Sequence, residues 1–398
     1  MVADLHAHYA MHLAPRDEPT TLELLGPGAR RLRGRDRLRA TIVGLLGRFA
    51  NYPSPDSEPR VTISSLRKGR VGVTYSVLYS PFDEMDLAQP YSAPPQPDYP
   101  ASLLRQLELV EKDLEENHAG TAVVAHDPGE LERHLPSGKV VFVHCVEGGF
   151  HLGGTAAQIE ASVEQLAARG VAYVTLAHLF FRQVATNAPA IPFIPDWIYR
   201  LLFPQRRGVG LTPLGEAAVR ALVDQRVLID LSHASEAALD DTLELLDRLD
   251  PERRVPVLSS HGGYRFGRQK YNHSDETVRR IAARDGVIGL IFANHQILDG
   301  LSGKKPTTLA DSVGALIKHI DRIHELTGSH RHVGIGSDLD GFIKPTLPGL
   351  QTMSDMAPLE DALAEHYGPD TARLICFDNA LRPLRSYWRS GGPPKSVV

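Results

Sequence analysis

The sequence is poor in cysteine, and this scarcity limits the architectures it can adopt. Its 398 residues include two cysteines, Cys145 and Cys376. Two thiols cannot build a disulfide framework or a four-cysteine zinc site. Because free thiols are typical of reducing compartments, the composition predicts a cytoplasmic protein.

The sequence also lacks an excess of positive charge and any long apolar run. It carries 43 Lys and Arg against 48 Asp and Glu, a net charge of −5. This balance argues against electrostatic binding of nucleic acid or an anionic membrane. No stretch approaches the ~18 uninterrupted apolar residues of a membrane span. The first residues do not resemble a secretory signal and the last carry no apolar tail, so we expect no leader and no membrane anchor.

Short apolar runs alternate with amphipathic stretches along the chain. Eight runs are predicted as buried strands, at 2–5, 72–79, 140–146, 171–177, 227–231, 255–259, 286–292 and 332–337. Helices are predicted between them, at 101–117, 156–169, 214–225, 236–249, 274–284 and 309–326. Eight strand–helix units favour a parallel (β/α)8 TIM barrel. The alternative, an open doubly wound sheet, usually needs a Gly-x-Gly-x-x-Gly turn, which is missing after the first strand.

Three segments lack a clear pattern and are predicted as loops inserted into a single domain over residues 1–398. They span 51–58, 89–100 and 180–207. The proline-rich middle segment is typical of a rigid surface loop. The last segment contains Phe180, Phe181, Phe193, Trp197, Tyr199 and Phe203. Such a density of aromatic residues predicts a segment that covers the barrel mouth or a subunit interface, and packing on the barrel's own helices is the alternative.

Histidine is abundant, with 18 copies, and several histidines directly follow predicted strands. In a parallel barrel these strand ends form the active-site rim. The residues just past the ends are His6, His8, Glu147, His178, His233, His261, Asp338 and Asp340. A hydrolytic metal ion takes three or four nitrogen and oxygen ligands, and two ions about 3.5–4 Å apart need a bridging carboxylate, which Glu147 can supply. Mixed ligation of this kind favours two zinc ions, although manganese, iron and cobalt accept the same donors.

Each of these residues also has an ordinary structural interpretation. His6 and His8 face the same side of a strand, but 18 histidines in this length give roughly one such pair by chance. His330 and His332 have the same spacing at the start of the last predicted strand, the wrong end for catalysis. Glu147 could be a plain loop carboxylate. Their joint occurrence at one rim favours a metal site.

Eight stretches carry a further signal because they match known motifs in a fixed order. They are Asp-Leu-His at 4–6, Val-Glu-Gly-Gly at 146–149, Tyr-Val-Thr-Leu-Ala-His at 173–178, Gly-Leu-Thr-Pro-Leu-Gly at 210–215, Ile-Asp-Leu-Ser-His-Ala-Ser at 229–235, Pro-Val-Leu-Ser-Ser-His at 256–261, Gly-Ile-Gly-Ser-Asp-Leu-Asp-Gly at 334–341 and Asp-Asn-Ala-Leu-Arg at 378–382. Together they resemble the membrane (renal) dipeptidases, peptidase family M19, among the amidohydrolase-like hydrolases. The resemblance implies a (β/α)8 barrel with two zinc ions and cleavage of an amide bond in a dipeptide or a related N-acyl amino acid.

The resemblance also implies roles for individual residues. The first ion would take the two first-strand histidines, the second ion the two histidines after the later strands, and a glutamate would bridge them. These metal ligands are His6, His8, Glu147, His233 and His261. A metal-bridged hydroxide would attack the amide, Asp338 would take the water proton and pass it to the leaving amine, and His178 would stabilise the oxyanion and contact the substrate. Arg265, Tyr271 and Asp340 are the further substrate-binding candidates.

Two departures from the family pattern concern the charge of the site. The family's first motif is His-x-Asp, whereas position 8 here is His. The family's Arg-Asn pair after the sixth strand, whose arginine binds the substrate carboxylate, is replaced here by Tyr271-Asn272. Either Arg265 or Arg268 takes over the carboxylate, or the substrate lacks one; the second case predicts better activity on an apolar or C-terminally blocked amide.

Two other functions stay open from the sequence. The first is an amidohydrolase acting on a non-dipeptide substrate, such as a blocked or cyclic amide or a lactone. The second is a non-catalytic metal-binding barrel, against which the nearly complete ligand set argues. The expected partner is a small peptide-like substrate, and a homodimer is left open.

Overall fold

The computed structural model describes residues 1–13, 34, 59–84, 89–191, 194–341, 343 and 345–390. Most of the described strands follow the predicted apolar runs. They are β1 (Val2–Ala7), β2 (Val71–Leu78), β3 (Ala122–Val124), β4 (Val140–Glu147), β5 (Tyr173–Thr175), β6 (Leu228–Asp230), β7 (Val257–Gly262), β8 (Val287–Leu290) and β9 (Val333–Ile335).

Eight of these strands close into a parallel barrel. β1 pairs with β2 and β9, β2 pairs with β4, and each strand from β4 to β9 pairs with the next. The predicted (β/α)8 TIM barrel is therefore confirmed, with all eight predicted strands present. The short strand β3 was not predicted. It pairs with the start of β4, Ala122 opposite Val140.

The described helices surround this barrel and include all six that the sequence predicts. They are α1 (Ile63–Lys68), α2 (Pro81–Glu84), α3 (Tyr99–His118), α4 (Pro128–His134), α5 (Ala156–Ala168), α6 (Asp196–Leu202), α7 (Pro213–Asp224), α8 (Glu236–Leu249), α9 (Asp275–Ala283), α10 (Asn294–Ile297), α11 (Leu309–Thr327), α12 (Met356–Tyr367), α13 (Pro369–Arg373) and α14 (Asn379–Tyr387).

Hydroxyl side chains begin four of the long helices. Thr155, Thr212, Ser235 and Ser274 each accept a hydrogen bond from the backbone N–H three residues further on. Each bond satisfies an N–H group that the first turn leaves unpaired, and such a cap is worth about 1 kcal/mol. Ser235 follows His233 by two residues, so the loop that presents this histidine ends at a fixed helix start.

The three segments predicted as inserted loops differ in structure and in how far the structure describes them. Residues 51–58 lie outside the described part of the chain. Residues 89–98 are largely exposed or half-buried, and α3 begins within the predicted 89–100 loop, at Tyr99. The 180–207 segment contains helix α6, which the sequence pattern did not predict.

Both cysteines are buried free thiols, as expected for a chain without a disulfide framework. Among the described helices, none has the length and apolar character needed to traverse a lipid bilayer.

Strand β7 lies very close to the neighbouring backbone near its C-terminal end. Its register with β8 shifts between Ser259 and Gly262. A Cβ atom at Gly289 or at Gly336 would lie only 2.0 or 1.8 Å from the carbonyl oxygen of Ser260. The three strands therefore approach so closely because glycine occupies both positions.

We predict that Gly336→Ala destabilises the protein by roughly 1–3 kcal/mol or more, because the new methyl group overlaps a backbone atom that cannot move independently. Gly314, in α11, is the matched control because its Cβ would meet no atom within 4 Å. Gly314→Ala is expected to stabilise the helix by up to about 1 kcal/mol. Thermal unfolding of both variants measures the difference, and an unchanged melting temperature for Gly336→Ala would contradict the packing described.

Candidate metal centre

The C-terminal ends of the barrel strands bring seven predicted site residues together. They come from β1, β4 and β7 or from the loops that follow β1, β5, β6 and β9. Each is at most 7% exposed. These residues are His6, His8, Glu147, His178, His233, His261 and Asp338.

Glu147, the last residue of β4, lies at the centre of this group. Its Oε1 atom is 3.2 Å from Nε2 of His6. The same oxygen is 3.5 Å from Nε2 of His233 and 3.5 Å from Nε2 of His261. One carboxylate oxygen is therefore shared by imidazoles from three strand ends.

The second oxygen of Glu147 faces two further histidines. Its Oε2 atom is 3.3 Å from Nε2 of His178 and 3.5 Å from Nε2 of His8. Asp338 closes this side, because its Oδ1 atom is 3.0 Å from Nε2 of His8 and 3.8 Å from Nε2 of His6. Both carboxylates thus lie within 3.8 Å of the Nε2 atoms of the two first-strand histidines.

Hydrogen bonding does not account for this arrangement. Both carboxylate oxygens of Glu147 and the Nε2 atom of His6 are buried without a hydrogen-bond partner. The Nε2 atoms of His233 and His261 are 2.9 Å apart. Leaving buried polar atoms unpaired costs about 1–3 kcal/mol each, whereas a divalent cation would accept lone pairs from all of them.

The donor set fits metal ions by composition as well as by position. Three groups of residues bring one donor atom each to within 4.8 Å of one another. They are His6, His8 and Asp338; His6, Glu147 and His261; and Glu147, His178 and His233. Nitrogen and carboxylate oxygen donors in this mixture are the ligands of zinc and of neighbouring transition metals.

A second layer of polar groups holds two of these histidines in place. Nδ1 of His6 lies 2.8 Å from the hydroxyl of Tyr173 and 3.0 Å from that of Ser260. Nδ1 of His261 also lies 2.9 Å from the Ser260 hydroxyl, which donates to Asp230 at 2.7 Å. Such partners orient metal-binding imidazoles and fix which nitrogen faces the ion. Sequence reasoning missed these three residues, although each lies on a barrel strand beside a predicted ligand.

The charges in the cluster oppose the cost of burial. Burial alone would raise the pKa of Glu147, but the imidazoles of His178 and His6 hold it well below its ordinary value. Burial alone would lower the pKa of His178, but Glu147 and Glu84 raise it to about 9. Burial and the neighbouring His6 hold the pKa of His261 well below its ordinary value. His261 is therefore neutral, the form in which imidazole binds a metal.

A further carboxylate, Glu84 of α2, lies behind His178. Its Oε2 atom is 2.7 Å from Nδ1 of His178. Sequence reasoning missed this residue because no pattern marks the short helix α2. The signal was present, however, since Asp83 and Glu84 follow the end of β2 as the other site residues follow their strands.

Two residues of the centre adopt a backbone conformation that side chains disfavour. His233 has φ 62° and Asp338 has φ 56°. Non-glycine residues in this left-handed region cost about 1–3 kcal/mol unless their surroundings hold them there, and such residues are concentrated at functional sites.

Of the three further substrate-binding candidates, only Tyr271 lies beside the metal centre. It is buried, its ring centre is 5.0 Å from that of His233, and it lines the cavity above the cluster. Arg265 instead donates to Oε1 of Glu236 at 2.6 Å and to the carbonyl oxygen of Asn272 at 2.8 Å. Its guanidinium is thus held by the first residue of α8 and by the loop that carries it.

Asp340 lies close to the centre in sequence but bonds elsewhere. Its Oδ2 atom accepts from the backbone N–H groups of Arg60 and Val61, at 2.9 and 2.8 Å. The same atom is 2.8 Å from Nε2 of His12. These contacts tie the loop after β9 to the segment before α1.

The cavity above the cluster is small and partly apolar. Its volume is about 10 Å³, roughly the space of one water molecule. Leu179 and Ala190, which lie in the chain after β5, line one wall of the cavity. Ile343, in the loop after β9, lines another.

Three of the aromatic residues beyond Leu179 pack together in a small cluster of their own. Phe180, Tyr199 and Phe203 form a buried cluster with Leu179, and Phe181 is buried as well. Trp197 is 68% exposed in the single chain, so the predicted cover over the barrel mouth or a subunit interface stays a prediction for this residue. Phe193 lies outside the described residues.

Comparison with known proteins identifies the family of this chain. The model of the family described as membrane dipeptidase (peptidase family M19) matches residues 45–388. Dipeptidase tcpJ of Claviceps purpurea is 26% identical over 342 residues, which cover 84% of this chain and 70% of that protein.

Two crystal structures share the fold across almost the whole chain. A metallopeptidase from Rhodobacter sphaeroides, bound to a phosphinate mimic of the dipeptide L-Ala-D-Ala, has a TM-score of 0.68 at 20% identity, covering 97% of this chain and 99% of that one. The probable dipeptidase PvdM from Pseudomonas aeruginosa has a TM-score of 0.63 at 19% identity, covering 92% and 98%. His6 and His8 lie before residue 45, the first residue that the family model matches. Strand β1, which contains His6, nevertheless completes the barrel by pairing with β2 and β9. The chain belongs to the membrane dipeptidase family, peptidase family M19.

Proposed function

We propose that this protein hydrolyses the amide bond of a dipeptide or a related N-acyl amino acid, with two metal ions held at the barrel mouth. Membership of the family supports a metal-dependent, dipeptidase-like hydrolase. The observation that carries the proposal is the buried Glu147 carboxylate, which lies within 3.5 Å of five imidazole nitrogens.

The residues would divide between two ion sites on either oxygen of this carboxylate. One site would use His6 and His8, and the other would use His233 and His261, with Glu147 between them. Zinc suits these donors best, although manganese, iron and cobalt accept the same ligands. When bound, the ions would supply an acidified water and a polarised substrate carbonyl.

Two side chains at the centre provide the proton transfer and the charge stabilisation that amide cleavage needs. Asp338 presents Oδ1 beside His8, where it can take a proton from the attacking water and deliver it to the leaving amine. His178 presents Nε2 to the same cavity, 3.3 Å from Oε2 of Glu147. There it can donate a hydrogen bond to the oxygen that becomes negative as the amide is attacked.

A second candidate substrate, an amide without a free carboxylate, is favoured by the lining of the cavity. No lysine or arginine is among the described residues that line it. The residue at the position of the expected arginine is Tyr271, whose hydroxyl donates to the carbonyl oxygen of His261 at 3.3 Å. A neutral hydroxyl cannot replace a bidentate arginine contact to a carboxylate.

Metal content tests the ligand assignment. We predict that Glu147→Gln loses both ions and nearly all activity, because an amide bridges two cations poorly. His233→Ala is expected to keep about one equivalent, since it removes a ligand of the second ion only. Elemental analysis of the dialysed proteins measures both outcomes.

His330→Ala is the matched control for these variants, because His330 precedes β9 at the opposite end of the barrel. This variant is expected to retain the metal content of the wild type. A His233→Ala protein that still holds two equivalents would overturn the assignment.

Substrate choice tests the second candidate. Loss of a charged contact to a carboxylate costs roughly 1.5–3 kcal/mol, or about 10- to 150-fold in kcat/KM. We therefore predict weak hydrolysis of ordinary dipeptides and faster hydrolysis of the same dipeptides blocked as C-terminal amides. Tyr271→Arg is expected to raise kcat/KM on the free dipeptides by about 10-fold or more.

Tyr271→Phe is the control, because it removes the hydroxyl without adding charge. It is expected to leave the ratio of the two kcat/KM values nearly unchanged. Dipeptide hydrolysis by the wild type at or above ~10⁴ M⁻¹s⁻¹, with no preference for blocked substrates, would show that the carboxylate is bound in another way.

A further inference from the structure

Glu84 is a buried acid whose position no motif explains. It ends helix α2, directly after β2, and its side chain is fully buried. Burying an ionised carboxylate costs several kcal/mol unless hydrogen bonds compensate for the lost water. The structure supplies three such bonds, and one of them reaches His178.

The three partners surround both oxygens of the carboxylate. Oε1 accepts from the backbone N–H of Phe180 at 2.8 Å. Oε2 accepts from the hydroxyl of Tyr79 at 2.6 Å and lies 2.7 Å from Nδ1 of His178. Burial alone would raise the pKa of Glu84, but His178 and these hydrogen bonds lower it, so the group is an ionised acceptor.

The contact with His178 defines how that ring can act. An ionised carboxylate only accepts hydrogen bonds, so Nδ1 of His178 must carry a hydrogen. The opposite ring nitrogen, Nε2, then points at the metal centre, 3.3 Å from Oε2 of Glu147. Glu84 thus sets the plane of the ring, and Nε2 carries a hydrogen of its own when it acts as the donor to the substrate.

We propose that Glu84 is a positioning residue that aims His178 at the reacting carbonyl through its bond to Nδ1. This inference rests on the proposed function, in which His178 stabilises the developing oxyanion. A positioned donor contributes most in the transition state. Loss of Glu84 should therefore lower kcat more than it weakens substrate binding.

Glu84→Gln is a sharp test because it keeps the shape of the side chain. An amide group placed at the Oε2 position would donate to Nδ1 of His178, which must then give up its hydrogen. The ring would keep only its Nε2 hydrogen and, as a neutral imidazole, would donate more weakly to the oxyanion. An amide group placed at the Oε1 position would instead meet the N–H of Phe180, another donor. Asp83→Asn is the matched control, since Asp83 lies on the same helix and contacts His151 rather than His178.

Steady-state kinetics of the full-length, zinc-loaded proteins give the first result. We expect kcat to fall about 10- to 100-fold in Glu84→Gln, with KM changed less than about threefold. Metal content should stay unchanged, and Asp83→Asn should behave as the wild type. In a His178→Ala background the Glu84→Gln change should cost less than about twofold, since residues that act together are not additive. A kcat within twofold of the wild type, or an equal loss in both backgrounds, would overturn the proposal.

Nitrogen NMR of histidine-labelled wild type gives a second result that needs neither a stable variant nor turnover. We expect the Nδ1 atom of His178 to carry a hydrogen, and a bare Nδ1 would overturn the proposal even if Glu84→Gln fails to fold. The two hypotheses also separate here. Wild-type protein that cleaves no amide, blocked or free, would refute the proposed function, whereas a bare Nδ1 in an active protein would refute the positioning role of Glu84 alone.

Discussion

One carboxylate buried among imidazoles determines how this barrel is built. Glu147 is 1% exposed, and an isolated charge at that depth would cost several kcal/mol or would be neutralised. The imidazoles of five histidines, from four strand ends, lie around it. Closure of the strands into a barrel with a fixed register brings these strand ends together. The same crowding of lone pairs is unfavourable in the absence of cations, which is why the arrangement indicates metal ions rather than a hydrogen-bonded core.

Several of these imidazoles use their two ring nitrogens in the same way. In three of the five, Nδ1 is anchored by an oxygen outside the cluster, while Nε2 is turned toward Glu147. His6 and His261 both use Ser260, and His178 uses Glu84. Because Ser260 approaches β8 and β9 where glycine replaces a side chain, the packing of the barrel and the aim of the ligands depend on the same residues.

The strand-end rule explains why so much of the centre could be predicted from the sequence. Parallel strands end at one rim, so polar residues just past apolar runs, such as His178 and His233, can be assigned to a common site without coordinates. The family motifs supply the remaining roles as expectations. The eight barrel strands were predictable because each is a nearly continuous apolar run, whereas β3, with three residues, is too short to give a pattern.

The residues that the sequence did not reveal depend on side-chain geometry. Glu84 follows a strand as the ligands do, but only its hydrogen bonds distinguish it from the neighbouring Asp83. Arg265 lies in a loop near the site, and only its contact with Glu236 shows that its charge is already paired. Sequence position alone cannot decide which way a long flexible side chain turns, because several rotamers have similar energies.

The central claim is that two ions share Glu147, and anomalous X-ray diffraction from crystals of the zinc-loaded protein tests it most directly. The account predicts two zinc peaks about 3.5–4 Å apart, each within about 2.0–2.2 Å of a carboxylate oxygen of Glu147. One peak should lie beside His6 and His8 and the other beside His233 and His261. A single peak, or zinc bound away from Glu147, would contradict the account.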